Sequence, residues 1–204
     1  MAEFYRGDNT QVKARIARVL WAPTTGPAPT KLSDVIDLST YEPNATYLWE
    51  DLGLTTEPLT LPHTIDASGF VTQQRGEIRK TPQETRFLGR TTLGEVTIAN
   101  RKKFMEGDTV SQPVANENRM YLAKPKALTN FRMAFLNLDE DSGLIDGIIF
   151  LKAQITGAAG EQSWARGAAS TLPIEVEAYP NDDGIVTTDT GAAVVRIDLE
   201  QVTP

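Results

Sequence analysis

The chain has 204 residues, 40% of them hydrophobic, with 15 Gly, 12 Pro, one His and no Cys. That length suits one large domain or two small ones, and the apolar share provides for a packed core and excludes disorder along the whole chain. Twenty Lys and Arg stand against 27 Asp and Glu, a formal net charge of −7, which is the wrong sign for a protein that grips a nucleic-acid backbone through a basic face.

The absence of Cys removes disulfides, thiol nucleophiles and thiolate metal sites, and a single His removes multi-His metal sites. No apolar run approaches the ~20 residues of a membrane helix. Met1 to Asp8 carries Glu3, Arg6 and Asp8 without an apolar stretch, so no secretory signal is read there.

In chain order, Gln11 to Leu20 alternates Val12, Ala14 and Ile16 against Lys13, Arg15 and Ala17, the period of a half-buried strand. From Ala22 to Pro43 the composition shifts to Pro23, Pro27, Pro29 and Pro43 among Thr, Ser and Gly26. Prolines lack a ladder donor, so this reads as an extended connection of roughly 20 residues, long enough to have a task of its own. Tyr47 to Leu54 returns to apolar character, and Ile65 to Phe70 and Arg75 to Lys80 read as short strands.

Thr81-Pro-Gln-Glu84 has the residues of a helical capping box but could equally continue a strand. Leu93 to Ala99 reads as strand, and Asn100 to Met105, opened by an Asn cap and closed by Gly107, as the one helix. Phe131 to Leu138 and Ile145 to Ile155 read as strands around the turn Asp139-Glu-Asp-Ser-Gly143. Thr171 to Ala178 places Leu172, Ile174, Val176 and Ala178 inward and Glu175 and Glu177 outward, and Ala193 to Val202 alternates Val195, Ile197 and Leu199 against Arg196 and Asp198. Many short strands with turns between them predict an all-β sandwich or barrel with very little helix.

No catalytic, cofactor-binding or metal-binding residues emerge. His63 would have to serve any Ser-His-Asp arrangement, yet no Gly-x-Ser-x-Gly elbow exists, so a strand edge or loop is expected there. Glu175 and Glu177 sit two apart on one strand face, the geometry of solvated surface and not of a glycosidase pair. Asn137 to Gly143 has its Gly one place late for a calcium loop and Ile148 where a bidentate Glu belongs, which leaves a hairpin turn. Asn44-Ala-Thr46 matches a glycosylation sequon, relevant only to a secreted chain. Arg101-Lys-Lys103 is a solvated helix face or a subunit contact more than a nucleic-acid patch.

Taken in order, three stretches resemble the phage major tail protein family, the subunits of the non-contractile tail tube. They are Val19-Leu-Trp-Ala-Pro-Thr-Thr-Gly-Pro-Ala-Pro-Thr-Lys-Leu-Ser-Asp34, Trp49-Glu-Asp-Leu-Gly-Leu-Thr-Thr56 and Thr171-Leu-Pro-Ile-Glu-Val-Glu-Ala-Tyr-Pro180. Arg101 to Lys126 fits the pattern least well. The resemblance implies one tail tube domain over 1–204: a β-sandwich or barrel-like fold with one short flanking helix and a C-terminal strand or arm over 185–204. It also implies rings, usually hexameric, that stack into a hollow tube, with tape-measure and tail terminator proteins as partners, no cofactor, no catalytic activity and no membrane binding. The location implied is the tail of a virion assembled in the host cytoplasm.

By the same resemblance the proline-rich segment 22–47 reaches the neighbouring ring. Leu32, Val35, Ile36, Leu38 and Tyr41 are its candidate anchors, expected to be exposed on an isolated subunit, with a self-packed surface loop as the alternative. A conduit for double-stranded DNA should not bind it, so Glu77, Glu95, Glu175 and Glu177 are candidates for an acidic lumen. Two other readings share the architecture. One is a phage capsid decoration or adhesion protein; the other is a carbohydrate-binding module or hydrolase, which would want exposed aromatics where Trp21, Trp49 and Trp164 have neighbours that suggest burial.

Overall fold

The computed structural model describes residues 16–57, 59–72, 76–94, 96–104, 107–111, 119–122, 128–139, 144–156, 171–181, 187–188 and 191–201. Strands β1 (Ile16–Pro23), β2 (Glu50–Asp51), β3 (His63–Thr72) and β4 (Gly76–Leu93) precede the helix α1 (Ile98–Phe104). After it come β5 (Gly107–Ser111), β6 (Arg119–Leu122), β7 (Phe131–Asp139), β8 (Leu144–Ile155), β9 (Leu172–Ala178), β10 (Thr187–Thr188), β11 (Gly191–Ala192) and β12 (Val195–Gln201). Eight strands form one antiparallel sheet in the order β2-β1-β7-β8-β9-β4-β3, with β12 added to β8; β5–β6 and β10–β11 are separate two-stranded ribbons. The fold is all-β.

The centre of the sheet is β1, β7 and β8, where Val19 faces Phe135 and Phe135 faces Ile148. β7 and β8 pair antiparallel with Leu138 opposite Ile145; residues 140–143, which hold most of the expected turn, lie outside the described residues. β8 is long enough to take two partners in succession on its other edge. Leu144–Phe150 pairs with β12 and Ala153–Ile155 with β9, while the Tyr179 amide donates to the Lys152 carbonyl between them at 2.8 Å. β9 and β12 therefore lie end to end along one edge, and the Asn181 amide closes the intervening excursion onto the Ala193 carbonyl.

One face of this sheet curls around a core of Val19, Met133, Phe135, Phe150, Val176 and Leu172. Phe135 and Phe150 meet edge to face at 5.2 Å, and Gly89 of β4 lies against them: a Cβ there would stand 2.7 Å from Phe135 Cζ. Phe104 of α1 closes the core from the side. The helix starts two residues before the expected Asn cap. Thr97 Oγ1 accepts the Asn100 amide and so caps the first turn, whereas Asn100 is inside the helix and buried, its Nδ2 donating to the Leu52 carbonyl. The strand expected over Leu93 to Ala99 accordingly stops at Leu93. Thr81 to Glu84 continues β4, since the partner strand β3 supplies a ladder that one turn of helix would forgo.

The other face of β1–β7–β8 is also apolar: Leu20, Ala134, Leu136, Leu138, Ile145 and Ile149 are all at most 2% exposed. Its cover is the early connection. Residues 24–49 lie across it, with single 3-10 turns at Leu32–Asp34 and Ala45–Tyr47, and insert Leu32, Val35, Ile36 and Trp49. Gly147 makes the seat possible, because a Cβ there would sit 3.1 Å from both Leu32 Cδ1 and Leu136 Cδ2.

Leu32, Val35 and Ile36, expected as exposed anchors for a neighbouring ring, are thus buried in their own subunit, and Leu38 and Tyr41 pack partly against the same cluster. A segment with this much apolar content next to an uncovered sheet face satisfies itself locally before any second subunit is present.

The cover cannot join the sheet as a strand, because its prolines donate nothing, but their carbonyls still accept. Arg132 of β7 supplies the donor. It is 2% exposed, and its Nη1 lies 2.8 Å from the Gly26 carbonyl oxygen and 3.0 Å from that of Pro27. Arg196 of β12 does the same for Pro29, at 2.7 Å. Replacing Arg132 by Met, of similar length, takes this donor from the part-buried carbonyls of Gly26 and Pro27, so the R132M protein should lose about 2 kcal/mol of stability, read as a lower midpoint in urea unfolding.

Candidate functional site

Three surfaces bear on function. The first is the outer rim of the covering segment, organised by Asp34. This carboxylate is 4% exposed and its Oδ2 accepts from the Thr30 amide (2.7 Å), the Thr30 hydroxyl (2.9 Å) and the Lys31 amide (3.1 Å). Burial raises its pKa, but these bonds together with one from the Tyr47 hydroxyl outweigh burial and hold it below the ordinary value; the same contact raises Tyr47. Arg18 of β1 ties the far end of the segment by donating to the Tyr41 carbonyl while it pairs with Asp51 of β2.

Beyond these ties the rim is polar. Asp37 accepts from the hydroxyl and amide of Ser39 and the amide of Thr40, which lowers its pKa, and Asp37, Ser39, Thr40 and Glu42 are exposed around a hollow of about 470 Å³. Asn44 of the sequon is engaged within this layer: its side chain donates to the Ser33 carbonyl and accepts the Thr46 amide.

The second surface is the outer face of β9. Leu172, Ile174, Val176 and Ala178 point inward and Glu175 and Glu177 outward, as the alternation predicts. Both carboxylates are half-buried and matched across the seam to β4. Glu175 pairs with Arg90 at 2.5 Å and accepts the Thr156 hydroxyl, and Glu177 lies 3.8 Å from Arg86 and accepts the Tyr179 hydroxyl. This face is therefore close to neutral and does not carry the bare acid that a pair of glutamates suggests. Glu77 is on β4 opposite Val71, 13 positions from Arg90 along the strand and so separated from Glu175 by roughly 40 Å of strand length. Glu95 lies outside the described residues.

The third surface has no motif that marks it in the sequence. Beyond Phe87, β4 leaves β9 and continues beside β3 alone, so that it diverges from β12. The fork holds an apolar cavity of about 490 Å³ lined by Leu61, Phe87, Ile148, Val195 and Ile197, with His63 at its rim. His63 opens β3, is exposed and stacks flat on Phe87 with ring centroids 4.3 Å apart, a strand-edge residue. Next to the cavity Ile197 and Leu199 are 70% and 69% exposed, so the apolar side of β12 is largely uncovered. The signal was present as a strand apolar on one side, but nothing in one sequence distinguishes a covered side from an open one.

The remaining candidates resolve into packing. Lys103 folds over Trp21, 4.8 Å from its ring centroid, and pairs with Glu50, which leaves Lys102 as the exposed member of the basic run. Trp49 is buried and Trp21 half-buried, so neither offers a flat exposed platform, and Trp164 lies outside the described residues. Among the described residues no group of three or more His, Asp or Glu is placed to hold a metal, and no helix is long and apolar enough to cross a membrane. No protein-family model and no curated protein sequence matches the chain.

The depressed pKa of Asp34 fixes the sign of a pH effect. Its hydrogen bonds stabilise the fold above the ordinary carboxylate range near 3.8, and that contribution is lost as pH falls below it and through the lower folded-state pKa. The D34N protein should be less stable than wild type at pH 7 by about 2 kcal/mol. Urea unfolding across pH 2 to 7 should show the difference shrinking toward the acid end.

Proposed function

We propose that this chain is a structural subunit of a phage tail tube, working by association with copies of itself and not by catalysis. The observation that carries the reading is the meeting in space of the stretches on which the resemblance rests. The first and second zip together as β1 and β2, with Leu20 opposite Asp51, and Leu52 of the second is held to the only helix among the described residues through Asn100. The third is β9, whose inward face packs into the same core as Val19 and Leu52. The resemblance implies a β-sandwich or barrel-like subunit with one short flanking helix and a long early loop; the all-β fold, α1 and the early segment support that reading.

In this reading the rings stack through the polar rim of the covering segment, around Asp37, Ser39, Thr40 and Glu42, and not through the apolar residues beneath it. DNA passes without adsorbing, because the net charge of −7 repeats from subunit to subunit while glutamates such as Glu175 and Glu177, matched to arginines, add no local trap of either sign. The virion tail is the location this implies, with tape-measure and terminator proteins as the other tail partners. The absence of an exposed Trp face among the described residues weighs against the carbohydrate-binding alternative.

Negative-stain microscopy of the purified protein over a concentration series tests the proposal. Hollow tubes or stacked rings at high concentration are expected, and a discrete small oligomer at every concentration overturns it. Reversing the rim charge with Thr40→Arg and Glu42→Arg, both exposed positions, should leave the far-ultraviolet spectrum unchanged while shortening or abolishing the stacks.

A further inference from the structure

Among the described residues β12 pairs as a strand only with β8, so its outer edge, Val195–Gln201, has no partner strand. Such an edge, flanked by exposed Ile197 and Leu199, is the kind of surface that proteins cover or blunt, since any extended chain can add to it. It carries no proline, and its two charges nearest the centre, Arg196 and Asp198, point to the opposite side, where the Arg196 guanidinium bonds Asp198 Oδ2 at 2.6 and 2.9 Å.

The order of residues on this edge singles out a partner. Val195-Arg196-Ile197-Asp198-Leu199, laid antiparallel against itself about Ile197, is its own complement. Arg196 meets Asp198, Val195 meets Leu199 and Ile197 meets Ile197, with no like charges opposed. In any antiparallel pair directly opposite residues share a face, so the apolar row of the second copy falls on the side of the cavity and extends the cover over Ile148 and Phe87. The charged row forms a closed group of two arginines and two aspartates. A slip of two residues, which recentres the pair on Asp198, would oppose Asp198 to itself and pair Arg196 with Glu200.

We propose that two copies of this chain associate through their β12 edges, antiparallel and centred on Ile197, to form a twofold dimer. The contact is isologous and closes on itself, so it cannot propagate a polymer. It shields the edge in the protein that is not built into a larger assembly, and it does not rest on the tube reading.

Because the chain contains no Cys, a single introduced thiol reports the register without ambiguity. In the dimer Ile197 faces its own copy with Cα atoms about 4.5–5.5 Å apart, within disulfide reach. Leu199 is as exposed, yet lies four positions along the strand from its own copy, roughly 14 Å away and out of reach.

Under mild oxidation the I197C protein should run as a covalent dimer on a non-reducing gel and the L199C protein as a monomer. In light scattering the wild type should be a dimer when dilute and the I197K protein a monomer. Failure of I197C to crosslink, crosslinking of L199C to the same extent, or a monomeric wild type at every concentration overturns the proposal. If tubes form but I197C does not crosslink, this inference fails and the tube reading stands. A crosslinked I197C dimer from a wild type that never forms rings or tubes gives the reverse.

Discussion

Met133, Ala134, Phe135 and Leu136 follow one another on β7, and all four are buried. Successive strand residues point to opposite faces, so a run like this places apolar surface on both sides of the sheet, and neither side can be left to water. Everything else in the molecule answers that constraint. On one side the sheet curls round until β9 and β4 face β1 and β7, and α1 fills the remaining gap with Phe104. On the other, among the described residues, the cover is not a second sheet but an irregular layer formed by residues 24–49.

An irregular layer has the polar problem that a sheet avoids. Its backbone groups have no ladder, and burial without partners costs more than the contacts return. Three charged side chains resolve this here: Arg132 and Arg196 donate to carbonyls that the prolines leave available, and Asp34 accepts the amides of Thr30 and Lys31. Two of the three come from the strands beneath, so the layer is fixed to the sheet by hydrogen bonds as well as by Leu32 and Ile36. The same economy appears on β9, where each glutamate is matched to an arginine one strand away.

Strands with regular alternation were legible from the sequence, β9 most completely, because half-burial imposes a period of two on the residues themselves. Where the environment decides, the residues alone do not fix the outcome. Asn100 has the chemistry of a cap but is drawn into the helix by the Leu52 carbonyl, and Thr97 caps in its place. Leu32, Val35 and Ile36 are apolar and need cover, and that cover is a face of their own sheet and not a neighbouring ring. A single sequence does not tell a side chain whether its partner is in the same molecule. Arg132 carries a signal of its own: a cation in a strand apolar on both faces has to reach acceptors, and a proline-rich segment is a supply of them. The open side of β12 shows the same limit in reverse, for its alternation matches that of β9 while its surroundings do not.

The way Arg132 holds the early segment has one further consequence. It reads main-chain oxygens, which every residue possesses, and ignores the side chains that carry them. The outward residues of that stretch, such as Thr25 and Pro27, can therefore be exchanged over generations without loosening their attachment, provided the arginine stays. Variation in the visible skin of this stretch and constancy in its anchor are compatible by construction.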